Sequence, residues 1–311
     1  MKPAADLALD TDESVSSDAN TPPTTPELPE LGGKLAGLSL GRQVVVLAVW
    51  PFLELLLNAL VSIVDTALAG RIDERSLDAI GVAAYVGWLL GMLHTSLGVG
   101  ASALIARAKG GDKRRHADAA LGQALFLAAV WGAATAGVVA AAAPWIAAIF
   151  SLPPTTHDLA VVYLRVVAVG ATLGSVLIVG NACLRAAGDT RTPFVVMVGV
   201  NVVNIAASWL FTFGPEPFGG YGVAGIAAGT AVAWSLGGVV VLAVLLHGRL
   251  ELRLYPRWMR PKRDLSGRIV RVGLPSLIES SGMWLGNAII GGFVGVLIAK
   301  TATDGLMGAH I

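Results

Sequence analysis

Cysteine is nearly absent: Cys183 is the only one in 311 residues. One thiol builds no disulfide scaffold and no thiolate metal cluster. Charge is scarce too. Only 14% of residues are charged, against about 25% in water-soluble domains, which argues against a soluble globular fold. The net charge of +1 lacks the basic surplus that nucleic-acid binding needs, so nucleic acid is not an expected partner. The His, Cys and acid spacings match no zinc pattern. No nucleophile triad or phosphate loop is found, so the sequence is not read as that of an enzyme. Glycine, by contrast, is plentiful at 38 residues, and small residues let helices approach closely in lipid.

Residues 1–38 differ in composition from the rest. They carry seven acidic residues against Lys2 and Lys34, and the stretch Thr21–Pro29 is dense in proline and threonine. Such a segment buries too little apolar surface to offset the entropy of ordering, so a disordered tail is expected. Its start is barely basic and no apolar run follows before residue 44, so it does not read as a signal peptide.

Long apolar runs then repeat. A bilayer core of roughly 30 Å needs about 20 apolar residues in a helix. Seven runs qualify: 44–70, 79–106, 118–150, 159–186, 194–213, 222–247 and 269–299. Residues 305–311 look like the start of an eighth. A β-barrel would alternate in runs of about ten residues, so the expected fold is an all-α, polytopic membrane protein. Lysine and arginine set its orientation. Seventeen fall on the side that holds Lys34, the 107–115 loop, Arg185, Arg191 and the basic stretch 248–268. Only Arg71, Arg75 and Lys300 fall on the other. The expected location is therefore the cell (inner) membrane, multi-pass, with a cytoplasmic N-terminus.

Glu54, Asp65 and Glu279 are the carboxylates that lie well inside the runs. An ionised group in hydrocarbon costs several kcal/mol, so each is a candidate for function. At ~100° per residue, Glu54, Asn58 and Asp65 fall within about 40° on one helix face. That stripe must look into protein or a water-filled cavity. A carboxylate there can exchange a proton, or hold Na⁺ with nearby amide and hydroxyl oxygens. The same stripe also suits a structural hydrogen-bond seam between helices, and Glu54 near Pro51 also suits a kinked backbone.

The fifth run places Asn201, Asn204, Ser208 and Thr212 on one narrow face, as donors to the acid stripe or as helix–helix glue. Thr230 lies in a small-residue run that suits close packing. His94 reads as a proton relay or as hydrogen-bonded packing. Arg165, one to two turns inside its run, reads as a snorkelling side chain. Between the fourth and fifth runs, Gly188 suits a left-handed helix end, Thr192 a cap and Pro193 the first helical position, with Asp189 and Arg191 near the headgroups.

Pro51 with Glu54, and Pro275 with Glu279, open the first and seventh runs alike. Six runs separate them, so the two copies would share one orientation, as in a parallel repeat.

Several segments together resemble the MATE (multidrug and toxic compound extrusion) family of the flippase-like transporter superfamily. They are Pro51, Val64-Asp65-Thr66, Ala69-Gly70, Gly110-Gly111-Asp112, Asn204, Gly222-Val223-Ala224-Gly225, Gly273-Leu274-Pro275 and Gly308-Ala309-His310-Ile311. The most specific is the loop Arg185-Ala186-Ala187-Gly188-Asp189-Thr190-Arg191-Thr192-Pro193. The resemblance implies two six-helix lobes around a cleft, and antiport of amphipathic, often cationic compounds against H⁺ or Na⁺, with no cofactor beyond the coupling ion. A prokaryotic, DinF-like branch is the expectation within the family. It implies a cation-coupling group of Asp65, Asn204 and Thr230, a candidate Na⁺ position. Many members carry an aspartate where Ser208 stands, which tilts the expectation toward proton coupling. Glu54, Asn58, Asn201 and Glu279 are the cleft candidates for a small-molecule substrate.

The expected organisation follows. A tail covers 1–38, a six-helix N-terminal lobe 39–247 and a cytoplasmic linker 248–268. Residues 269–311 supply the first one to two helices of a second, parallel-repeat lobe. The remainder of that lobe is expected from a longer product or a second chain. Two alternatives stand beside this expectation: a lipid-linked saccharide flippase of the same superfamily, and a truncated, inactive membrane remnant.

Overall fold

The computed structural model describes residues 39–150, 153–249 and 252–308. The expected tail, 1–38, lies outside the described residues. Seven α-helices follow in order: α1 (Leu40–Gly70), α2 (Glu74–Gly110), α3 (Arg114–Ile149), α4 (Pro154–Ala186), α5 (Arg191–Phe213), α6 (Val223–His247) and α7 (Arg263–Gly308). The first six are long and apolar enough to cross a membrane. The chain divides into residues 1–44, where Gln43 N–H donates to the Ser39 carbonyl, and residues 45–311, which hold everything below.

Helices outrun the apolar segments from which they were inferred. The Asp73 side chain caps the Ser76 N–H and starts α2 five residues before its apolar run. Pro154, in the first turn, starts α4 five residues early. Helix α7 begins at Arg263 rather than 269. Hydropathy reports the hydrocarbon core, whereas a helix continues until its backbone ladder is capped or broken. The same reason corrects the eighth run. Residues 305–308 are not a new element but the end of α7, which passes through Lys300 without interruption. Residues 309–311 lie outside the described residues.

Helix α4 is the hub. It packs against α6, α3 and α2, and the contacts rely on missing side chains. A Cβ on Gly170 would meet Ala231 Cα at 2.7 Å, and one on Gly238 would meet the Leu173 carbonyl oxygen at 2.4 Å. Such backbone approach maximises dispersion contact where lipid supplies no hydrophobic drive. One buried cluster, around Leu121, Leu184 and Leu245, fills one end of the bundle. A second, around Ile80, Leu164 and Ile226, fills the other. Helix α7 lies along α2, locked by Tyr85 and Trp284. Each donates to the other's backbone carbonyl, at 2.8 and 3.1 Å.

The linker folds onto α3. Gln123, fully buried, donates to the Trp258 and Arg260 carbonyls at 2.5 and 2.7 Å. It accepts from Lys262 N–H and Ser266 Oγ, each at 2.8 Å. Asp118 accepts from Arg253 N–H at 2.9 Å.

Candidate functional site

The acid stripe of α1 meets α4 and α5. At one end Arg185 Nη1 lies 3.1 Å from Glu54 Oε2. Glu54 therefore serves an ion pair rather than the backbone near Pro51. One turn on, Asn58 is exposed and accepts from Asn201 Nδ2 at 3.4 Å. Two turns further, Asp65 is half-buried, and its Oδ1 is buried without a hydrogen-bond partner among the described residues.

Around Asp65 the neutral donors converge. Asn204 Nδ2 donates to Thr230 Oγ1 at 3.0 Å. Thr230 in turn donates to the Ile226 carbonyl at 3.2 Å. Asn204 Oδ1 is a second buried oxygen without a hydrogen-bond partner among the described residues. Tyr163, buried on α4, lies near both Asp65 and Thr230. Tyr163 thus lies between the Asp65 carboxylate and the Asn204–Thr230 pair, where two oxygens have no partner among the described residues. Buried oxygens without donors are rare, because desolvation is uncompensated. A proton or a small cation is what such oxygens accept.

The rest of the α5 row acts as glue. Ser208 Oγ donates to the Ile226 carbonyl at 3.4 Å, and Thr212 Oγ1 to the Gly222 carbonyl at 3.3 Å. Ser208 is fully buried, and a Cβ on Gly229 would strike its backbone N at 2.4 Å. Glu279 is not brought to this group. It is exposed on α7, whose helix neighbours are α2 and α3, and has no ion-pair partner among the described residues. His94 is buried and bonds Thr135 Oγ1 at 3.1 Å, which matches hydrogen-bonded packing. Arg165 is exposed but lies about three turns into α4, deeper than expected, because α4 starts at Pro154. Among the described residues no group of three His, Cys, Asp or Glu could hold a metal ion.

The α4–α5 turn holds this geometry. Gly188, at φ +91°, closes α4. Its N–H donates to the Arg185 carbonyl, and the Asp189 N–H to the Leu184 carbonyl, at 2.9 Å each. This is the paired closure that a left-handed residue permits. Thr192 is not the cap of α5. Asp189 accepts from the Thr192 N–H at 3.0 Å, so the helix begins at Arg191 and Pro193 is its third residue. A carboxylate with two oxygens outcompetes a hydroxyl as acceptor for those free N–H groups. Arg249 Nε, 3.4 Å from Asp189 Oδ2, ties the turn to the linker.

Sequence reasoning missed Tyr163 and the partnership of Arg185. A phenol in a long apolar run needs a partner and was the available signal. Arg185, in the last turn of α4, is a cation close to apolar surface that needs a counter-charge, which was the other.

The comparisons agree with this architecture. The MatE family matches residues 51–210, just over half of the chain. A probable multidrug resistance protein NorM of Thermotoga maritima is 28% identical over 239 residues, 77% of this chain and 51% of that protein. The uncharacterized transporter YisQ of Bacillus subtilis is 24% identical over 260 residues, 82% of this chain and 56% of its own length. Among solved structures, the outward-facing conformation of a multidrug resistance MATE family transporter of the MOP superfamily superposes with a TM-score of 0.70 at 25% identity. That match covers 78% of this chain and 53% of the other. The chain spans about half the length of the curated relatives it matches. With an all-helical bundle of membrane-length helices and a family match over 51–210, the chain belongs to the MatE family of membrane transporters, which are not enzymes.

Proposed function

We propose that the chain forms the coupling half of a MATE antiporter, one that exports amphipathic, often cationic compounds in exchange for protons. The observation that carries this reading is the pair of buried, unpartnered oxygens, Asp65 Oδ1 and Asn204 Oδ1, beside Thr230. A proton on Asp65 removes the cost of a desolvated charge, and its loss restores that cost. The two states of α1 then differ in how well its stripe tolerates the bundle, and a bound cationic compound competes with the proton for the same negative charge.

A single carboxylate among neutral oxygens, with Ser208 bonded elsewhere, supports a proton over Na⁺. The 17-to-3 lysine and arginine bias supports a cytoplasmic N-terminus in an inner membrane. In this reading 39–247 is the N-terminal lobe, 248–268 the linker and 269–311 the opening of the second lobe. Glu54, Asn58, Asn201 and Glu279 are cleft residues of lesser weight. The relatives named NorM and YisQ give the DinF-like placement no specific support.

The test is efflux of a cationic dye from cells that make the protein, driven in turn by a pH gradient and by a Na⁺ gradient. Wild type should export on the pH gradient, and Asp65→Asn should not. Export on the Na⁺ gradient alone would overturn proton coupling. Equal export by Asp65→Asn would remove Asp65 from the mechanism. Wild-type export no better than cells without the protein would overturn the antiporter reading.

A further inference from the structure

One face of the bundle carries an apolar groove whose lining includes none of Asp65, Asn204 and Thr230. It runs between α5 and α6, has a volume of about 640 Å³, and is walled by Val195, Gly199 and Val203 on one side and Leu236 and Val240 on the other. Its volume lies within the roughly 300–1,000 Å³ of ligand sites. On α5 the wall residues fall roughly opposite the Asn201–Asn204–Ser208 row at ~100° per residue, so groove and coupling locus are separate. Glycine opens it: a Cβ on Gly199 would meet nothing within 4 Å.

The two ends of the groove differ. Arg191 and Arg249 close one end, beside Thr192. Arg249 is partly balanced by Asp189, 3.4 Å away. Arg191 has no acidic partner among the described residues and stands only against the Trp50 ring, 5.9 Å from its centroid. The mouth therefore keeps one positive charge. From Arg191 to Val203 the groove runs about 18 Å at ~1.5 Å per residue. Half of a hydrocarbon core of roughly 30 Å is about 15 Å. An apolar channel about one leaflet deep, with a cationic mouth at its loop end, matches one kind of occupant in both shape and charge.

We infer that this groove binds a phospholipid with an anionic headgroup, taken from the surrounding leaflet. An acyl chain lies along Gly199, and the phosphate faces Arg191 and Arg249. Basic pockets between membrane helices recognise such headgroups by charge-assisted hydrogen bonds. The inference rests on the chain spanning a membrane and not on the proposed antiport, so the two stand or fall separately.

The test is native mass spectrometry of the full chain in detergent, titrated with phosphatidylglycerol or with phosphatidylcholine of the same acyl chains. Phosphatidylglycerol should be retained in preference. Arg191→Gln should weaken its retention roughly five-fold, the effect of one basic residue near an anionic surface. Gly199→Leu, whose Cβ meets nothing within 4 Å and whose side chain takes up groove volume, should weaken it as well. Neither change should alter thermal unfolding in phosphatidylcholine micelles. Equal retention of the two lipids, or wild-type phosphatidylglycerol binding by both variants, overturns the inference. A dimer lost on Gly199→Leu would assign the groove to a second copy and overturn it too.

Discussion

Arg185 reaches from the end of α4 to Glu54 on α1, with Nη1 3.1 Å from Oε2 and 3.3 Å from Oε1. Helix α1 is otherwise exposed over most of its surface, and Leu68 and Ala69 near its end are its buried apolar residues. The ion pair and the Trp50–Phe194 ring contact, at 5.3 Å, are therefore much of what holds its first half to the bundle.

Removing either partner leaves the other charge poorly compensated. Glu54→Gln and Arg185→Gln are each expected to destabilise the protein by about 1–3 kcal/mol, read as a lower midpoint of thermal unfolding in detergent. The double variant should lose less than the sum of the two. Strict additivity would show that the pair does not interact.

Coupling and packing should separate at Asp65. Its Oδ1 has no donor among the described residues, so Asp65→Asn breaks no acceptor bond at that atom. Thermal stability is expected to be retained while dye efflux is lost. A large fall in stability would instead make Asp65 a structural residue.

Gln123 saturates its amide with four bonds to the linker and the start of α7. Gln123→Leu leaves the Trp258 and Arg260 carbonyls and the Lys262 N–H to find other partners. A loss of about 1–3 kcal/mol is expected, with faster proteolysis between residues 252 and 262. Unchanged cleavage would show that the linker holds without the clasp.

Glycines should divide by what surrounds them. Gly238→Ala drives a Cβ into the Leu173 carbonyl oxygen at 2.4 Å, so about 1–3 kcal/mol of stability should be lost. At Gly137 nothing lies within 4 Å, so Gly137→Ala should be neutral or gain up to about 1 kcal/mol of helix propensity. Equal thermal midpoints for the two variants would contradict the close α4–α6 contact.

Asp189→Ala removes the acceptor of the Thr192 N–H at the start of α5 and the partner of Arg249. A loss of about 0.5–2 kcal/mol is expected. Asp189→Asn should recover part of it, since an amide oxygen still accepts from the Thr192 N–H. No recovery would place the main effect in the Arg249 pair.

Much of this molecule is legible along the chain. Scarce charge and apolar runs of bilayer length determined that it is a bundle of membrane helices, because hydrocarbon tolerates only a backbone whose hydrogen bonds are closed within each segment. The spacing of Glu54, Asn58 and Asp65 determined a polar face, because helical periodicity is a local property. Gly188 declared the end of α4 for the same local reason. Tertiary structure decided what each face meets. It gave Glu54 to Arg185, Asn204 to Thr230 and Gln123 to the linker. It left Glu279 on α7 apart from them. These choices join residues from 26 to 143 positions apart in the chain. Periodicity assigns a residue to a face, but only the packing of helices, set here by close glycine contacts, determines which face lies opposite.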